Sequence, residues 1–177
     1  MQTNIIISGT GGQGILAAAD FLSEALFRNG FHVVGTRSYG AEARGGSAQS
    51  VVIASDVDIY DIQFEASDAM LILSLPAYKK YIGVAKKNSL VMLDSRVLSR
   101  LKPEEVRKDV EQVAVPAADL AEKLGNPIVA NMVILAAYTK KTGIITLDQL
   151  RDAVKTVMRP QFHDLNLKAI EAGAQSV

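Results

Sequence analysis

Three consecutive isoleucines, Ile5 to Ile7, run almost directly into Gly-Thr-Gly-Gly-Gln-Gly at residues 9–14, and a segment with apolar residues at helical spacing follows. A short apolar strand, a turn with four glycines in six residues and an amphipathic helix, in that order, leave few folds open. The order matches the opening of a sheet whose strands run parallel, because a helix that follows a buried strand packs back on the sheet and returns the chain to its starting edge.

The remaining sequence repeats that alternation. The first strand is predicted at residues 4–8 and the first helix at 15–29, where Ile15, Leu16, Ala19, Leu22, Ala25 and Leu26 share one face and Gly30 ends it. Further strands are predicted at 31–35, 51–55, 69–75, 90–93 and 113–115. Pro76 closes the fourth of these and opens a short helix to Ala85. Helices are predicted at 117–124, at 127–140, from a Thr146 cap to Met158, and at 164–172, with a loose tail after Gly173. Residues 36–50 are polar and glycine-rich and read as a loop. The fold class expected is α/β, a Rossmann-like three-layer sandwich with a largely parallel sheet flanked by helices. No repeat, low-complexity stretch or linker divides the chain, so one domain is expected over residues 1–177.

Gly9, Gly11 and Gly14 fit G-x-G-x-x-G between a strand and a helix. In that setting the first glycine permits a tight turn, the second lets a ligand approach the backbone, and the third lets helix and strand pack closely. Unpaired N–H groups and the positive end of the helix dipole then favour an anion such as a phosphate. The alternative is that the glycines serve only helix docking. A nicotinamide site calls for an acid at the end of the second strand, but Gly35-Thr36-Arg37 stands there. Arg37 is compatible with a 2′-phosphate, and the Lys-Ser/Thr ending of a nucleoside triphosphatase is missing.

The stretch RSYGAEARGGSAQS carries Arg37, Tyr39, Glu42, Arg44 and the pair Gly45-Gly46. A loop after the second strand of a doubly wound sheet lies near the loop after the first, at the carboxyl ends where ligands bind. Arg44 beside two glycines suits bidentate contact with a carboxylate or phosphate, Glu42 suits orienting it, and Ser47 and Gln49 add hydrogen-bonding groups. The loop reads as a ligand loop or a protein interface, against the plainer reading of a solvated surface.

Composition removes several function classes. Nineteen basic and nineteen acidic side chains cancel, so bulk attraction to nucleic acid or an anionic membrane is not expected. The chain has no cysteine, which excludes disulfides and thiolate ligation of metals or iron–sulfur clusters by its own residues. The apolar segments are too short to span a bilayer, and a cytoplasmic location is expected. His32 reads as structural, His163 as a cap or interface residue, Asp94-Ser95 as a helix cap, and Asn126 and Asn131 as flanking a helix start. Residues 102–111, KPEEVRKDVE, read as a solvated helix face. Tyr78 and Tyr81 with Lys79 and Lys80 read as a surface patch.

Taken together, GTGGQGI, SYGAEARGGSAQSVVIAS, DAMLILSLPAY and LGNPIVANMVILAAY strongly resemble the gamma subunit, or gamma domain, of 2-oxoacid:ferredoxin oxidoreductases over almost the whole chain. Pyruvate-type gamma chains tend to carry a Phe-Gly-Pro-Glu-Arg-Arg-Gly-like loop and indolepyruvate-type chains His-Gly-Met. SYGAEARGG is closer to the 2-oxoglutarate type, with Ala41 where many relatives have proline. The resemblance implies an enzyme that decarboxylates a 2-oxoacid on thiamine diphosphate and magnesium, passes electrons through iron–sulfur clusters to ferredoxin, and transfers the acyl group to coenzyme A. It implies alpha, beta and ferredoxin-like delta partner subunits that hold the thiamine cofactor and the clusters. The chain has no G-D-G thiamine motif of its own, so no catalytic or metal residue is expected in it. Its implied role is assembly and placement of coenzyme A, with Gly9, Thr10, Gly11, Gly12, Gln13, Gly14, Arg37, Tyr39, Glu42, Arg44, Gly45 and Gly46 as candidate contacts. A stand-alone nucleotide-binding reductase and a pure scaffold subunit are the competing readings.

Overall fold

Strand β1 (Gln2–Thr10) is buried along both faces: Ile5 and Ile7 join one apolar cluster and Ile6 the other. The same alternation recurs in Val52 and Ala54 against Val51 and Ile53, and in Leu71 against Met70 and Ile72. A sheet apolar on both sides must be covered on both sides, which dictates a three-layer arrangement. The computed structural model of the chain describes residues 1–39, 46–62 and 65–177, with Tyr39 described by its backbone.

In chain order the elements are β1, α1 (Ile15–Arg28), β2 (His32–Tyr39), β3 (Ser47–Ser55), β4 (Ser67–Ile72), α2 (Leu75–Tyr81), β5 (Ala85–Asp94), α3 (Ser95–Leu98), β6 (Glu111–Val115), α4 (Ala117–Lys123), α5 (Ala130–Thr142), α6 (Leu147–Val157) and α7 (His163–Ala174). The strands lie in the order β2-β3-β1-β4-β5-β6. From β1 to β6 the pairing is parallel, and β3 alone runs against both its neighbours. Helices α1, α4, α5, α6 and α7 supply the larger cluster, and α2 and α3 cover the opposite face. Helix α5 is buried from Ala130 to Thr139, as a helix held between a sheet and another helix must be.

The α/β class and the largely parallel sheet stand as expected, while several boundaries and one connection do not. Residues 36–50 are not one loop: β2 continues to Tyr39 and β3 begins at Ser47, so a β-hairpin replaces most of it. The polar run Ser47–Ser50 hid this strand, yet Ser50 is 1% exposed because β1 and β2 flank it. The helix expected from Pro76 stops at Tyr81, followed by a tight turn over Ile82–Val84, and β5 starts earlier, at Ala85. A 3₁₀ turn, Pro127–Val129, precedes α5. Residues 102–110 form turns rather than a helix; Arg107 stitches them to the Ile82 carbonyl at 2.6 Å and to Asp109. The tail is not loose at Gly173, which lies inside α7 where that helix meets α5.

Candidate functional site

The four glycines of residues 9–14 divide into two kinds. Gly9 belongs to β1, paired with Ala48, and not to the turn. A Cβ there would lie 2.5 Å from Gln13 Oε1 and 2.7 Å from Ile15 Cδ1, so glycine is kept by close packing. Gly14 has φ +68°, and a Cβ there would lie 2.5 Å from Asn131 Nδ2. Between them, Gly11 and Gly12 are exposed, and a Cβ on either would meet nothing within 4 Å among the described residues. The φ of +92° accounts for glycine at position 12. Among the described residues nothing in the packing accounts for glycine at position 11.

Hydrogen bonds hold this turn from several sides. Gln13 Oε1 accepts from the Thr10 amide at 2.7 Å and the Thr10 hydroxyl at 3.1 Å, while Gln13 Nε2 donates to the Leu73 carbonyl at 3.1 Å. The Gly11 amide donates to the Gly46 carbonyl at 3.2 Å. The first helical bond of α1 runs from the Ala18 amide to the Gly14 carbonyl at 3.1 Å, and no side chain caps the helix. Among the described residues the amides of Gly12, Ile15, Leu16 and Ala17 make no hydrogen bond, which leaves donors at the positive end of a 14-residue helix.

The hairpin brings the second motif beside the first. Tyr39 lies opposite Ala48, and Ala48 opposite Gly9, so the end of β2 and the start of β3 lie level with the start of the glycine turn. The expected proximity is therefore present, but an antiparallel hairpin produces it and not a crossover. Gly46 touches Gly11 directly. Glu42, Arg44 and Gly45 lie outside the described residues, as does the Tyr39 side chain. Arg37 is engaged elsewhere: its Nη2 donates to Asp20 Oδ1 on α1 at 2.7 Å. The Ser47 carbonyl accepts from the Tyr81 hydroxyl at 3.3 Å.

On the α2 side of the sheet a cleft of about 270 Å³ opens beside the same turn, lined by Gln13, Ser74, Asp94, Arg96 and Arg100 among others. Asp94 is 3% exposed and caps twice, accepting from the Arg96 amide at 2.8 Å and the Ala118 amide at 2.7 Å. Arg96 grips Glu122 with both terminal nitrogens and Asp119 through Nε. These carboxylates push the guanidinium pKa up, and the Arg96 hydrogen bonds hold the Glu122 carboxyl below the usual carboxylate range. Arg100 has no side-chain partner among the described residues. The arginines at i and i+4 after Asp94, in DSRVLSR, were the available signal, and the sequence reading passed over it.

The remaining candidates are structural. His32 faces Asp58 at 3.2 Å on an exposed edge, and His163 Nε2 meets the Met158 carbonyl at 2.7 Å at the start of α7. Tyr78 and Tyr81 are not a surface patch, being 1% and 8% exposed. The Tyr78 hydroxyl donates to the Glu105 carbonyl at 3.3 Å and accepts from the Arg107 amide at 3.0 Å. Among the described residues no three His, Asp or Glu side chains form a cation cage, and no helix is long and apolar enough to cross a membrane.

With this geometry in place, residues 4–176 match the family described as pyruvate ferredoxin/flavodoxin oxidoreductase. The chain belongs to that family. Within the pyruvate ferredoxin/flavodoxin oxidoreductase family it is 36% identical to the 2-oxoglutarate synthase subunit KorC of Methanocaldococcus jannaschii, over 98% of this chain and 92% of that one. It is 31% identical to the indolepyruvate oxidoreductase subunit IorB of Archaeoglobus fulgidus, over 98% and 94%. Among solved structures, the gamma subunit of a keto/oxoacid ferredoxin oxidoreductase from Geobacter sulfurreducens superposes with a TM-score of 0.86 at 30% identity, covering 99% of this chain and 96% of that one. These are single subunits of oxidoreductases, matched end to end. Family membership thus agrees with the fold class and with the subunit reading, and the gamma-type fold carries the open glycine turn described above.

Proposed function

We propose that the chain is the gamma subunit of a cytoplasmic 2-oxoacid:ferredoxin oxidoreductase, 2-oxoglutarate being its 2-oxoacid, and that it acts as one domain in assembly and in holding a phosphate of coenzyme A. The observation that carries the subunit reading is the end-to-end match to a gamma subunit of known structure. The 2-oxoglutarate assignment rests on the SYGAEARGG loop and the likeness to the 2-oxoglutarate synthase subunit. Alpha, beta and delta partners hold thiamine diphosphate, magnesium and the clusters; this chain has no cysteine for a cluster.

Support for a phosphate at the glycine turn comes from the free amides of Gly12 and the first turn of α1, from the space over Gly11 and Gly12, and from the dipole of α1. Gly12, Ile15 and Leu16 donate to the phosphate oxygens, and Gln13 keeps the turn in shape by tying Thr10 to Leu73. Arg37 bonds Asp20, so the reading takes Arg44 as the cation for the phosphate, together with Tyr39, Glu42, Gly45 and Gly46 of the same sequence motif. The coenzyme, when bound, supplies the thiol that accepts the acyl group.

One observation favours the scaffold reading: Gly9 is accounted for by its close neighbours, and Gly14 by its φ of +68° and by Asn131, with no ligand required at either. The substitution Gly11→Asp separates the two. A Cβ at position 11 meets nothing within 4 Å among the described residues, and the carboxylate repels a phosphate. In the assembled enzyme the KM for coenzyme A rises about tenfold, equivalent to ~1.4 kcal/mol, while Gly11→Ala leaves it unchanged. An unchanged KM in Gly11→Asp overturns the phosphate reading and leaves the scaffold.

A further inference from the structure

The sheet has two edges, and they differ. Strand β6 is five residues long, and Glu111 at its start is tied to Lys141. Strand β2 is eight residues long and carries neither lysine nor proline, the residues that commonly guard an edge. Its one arginine, Arg37, is taken up by Asp20. The ladder shows which backbone groups this edge leaves open. Residues of a strand flanked on both sides turn their amides and carbonyls to one neighbour and the other in alternation. The Asp56 amide donates to the Met1 carbonyl at 3.3 Å and the Gly11 amide to the Gly46 carbonyl at 3.2 Å, so in β3 it is Ala48, Ser50, Val52 and Ala54 that bond β1. Gln49, Val51, Ile53 and Ser55 then bond β2, through Ser38, Thr36, Val34 and His32. Val33, Gly35 and Arg37 turn their amides and carbonyls outward, where no strand of this chain lies among the described residues.

Gly35 stands in the middle of the three. A Cβ there would approach only Ser23 Oγ, at 4.0 Å, among the described residues, so no contact among them requires glycine. Glycine inside a strand weakens it and often marks a place where another backbone comes close. The flanking side chains agree. On the α1 side a groove of about 400 Å³ runs along the edge between Phe27, Val33 and Val157, and at the start of the strand a second, of about 590 Å³, opens between Phe31, Ile59 and Tyr60. Phe27 is 68% exposed and Tyr60 92%. Open strand groups with apolar grooves beside them fit an added strand, whose main chain supplies the hydrogen bonds and whose alternate side chains enter the grooves.

We propose that this added strand is β2 of a second copy of the chain, paired antiparallel about a two-fold axis at Gly35. That register matches every outward residue: Val33 faces Arg37 of the other copy, Gly35 faces Gly35, and Arg37 faces Val33. A shift along the strand leaves at least one of them unmatched. It also sets no like charge opposite Arg37. Two identical surfaces meet here without repulsion, because Arg37 is paired with Asp20, Arg28 with Glu24 and His32 with Asp58, and the chain as a whole carries nineteen charges of each sign. A two-fold contact of this kind closes on itself and builds no fibre.

The contact does not depend on a phosphate at the glycine turn. Sedimentation equilibrium of the full chain, over a range of concentrations, is expected to show reversible association to twice the chain mass. Gly35→Pro removes the central outward amide and no bond of the β2–β3 ladder; it weakens association about tenfold or more and leaves the thermal midpoint of the dilute chain in place. Should that variant unfold, Phe27→Asp, at an exposed position, is expected to weaken it likewise. The chain has no cysteine, so Gly35→Cys introduces a single thiol. Across the axis the two Cα atoms of a hydrogen-bonded pair stand about 5.5 Å apart, within the span of a disulfide, and mild oxidation yields a covalent dimer. Ser38→Cys, exposed on the same strand but off the axis, yields none. A chain that keeps its own mass at every concentration, a dimer that both variants leave unchanged, or a Ser38→Cys cross-link as fast as that of Gly35→Cys overturns the proposal. Slow hydrogen exchange at Val33 and Gly35 in the assembled enzyme, with no Gly35→Cys cross-link there, overturns it too and gives the edge to another subunit.

Discussion

Asn131 on α5 reaches back 117 residues and donates its side-chain amide to the carbonyl of Gly14 at 2.8 Å, pinning the start of α1 to the buried helix of the larger core. The left-handed backbone at Gly14 is what presents that carbonyl, and it leaves no room for a side chain.

Two substitutions three residues apart therefore differ in outcome. Gly14→Ala combines a φ of +68° with a Cβ that would lie 2.5 Å from Asn131 Nδ2, and it destabilises the chain by about 2 kcal/mol or more. Gly11→Ala meets nothing among the described residues and changes stability by less than about 0.5 kcal/mol. Urea unfolding of the two variants checks both values.

Gly173 reverses the ordinary helix preference. Within an exposed helix, glycine to alanine gains about 1 kcal/mol. Here a Cβ would overlap the Val133 carbonyl and press on Ala136, so α7 must lift from α5. Gly173→Ala is expected to cost about 3 kcal/mol, read from the shift of the denaturation midpoint at constant slope.

Glu122 gives a pH dependence of definite sign. Its carboxyl is held below the usual range, first by the hydrogen bond from Arg96 and then by that residue's charge. The unfolded chain titrates it near pH ~4.3, so the pair's contribution is complete above that pH and disappears as pH falls through the lower folded value. The pair is exposed, so its effect on stability is small. NMR titration of the Glu122 carboxyl shows a midpoint below ~4.3, and Arg96→Gln returns it toward that value.

The sheet was legible because its strands carry apolar side chains on both faces, which leaves Ile5–Ile7, Val51–Ile53 and Met70–Ile72 as continuous runs. Ser47 to Ser50 carried no such signal. Their burial comes from flanking backbone and not from their own side chains, so the reversed strand β3 was legible only in its second half. The glycine turn was found, but its roles were not: Gly9 sits in a strand, and the reason is a clash with Gln13 and Ile15, contacts that no spacing rule encodes. Arg37 was grouped with the loop, yet its position on β2 hands it to Asp20.

Asp94 ends strand β5, next to the sheet edge, with one carboxylate shared between two helix starts, and Arg96, whose amide it holds, clasps α4 through Asp119 and Glu122. The corner is thus braced like a truss: Asp94 ties the starts of α3 and α4 together, and Arg96 ties α3 to α4 a second time. Asp94 and Arg96 both line the cleft that also holds Gln13 and Ser74, so this brace forms one flank of that cleft.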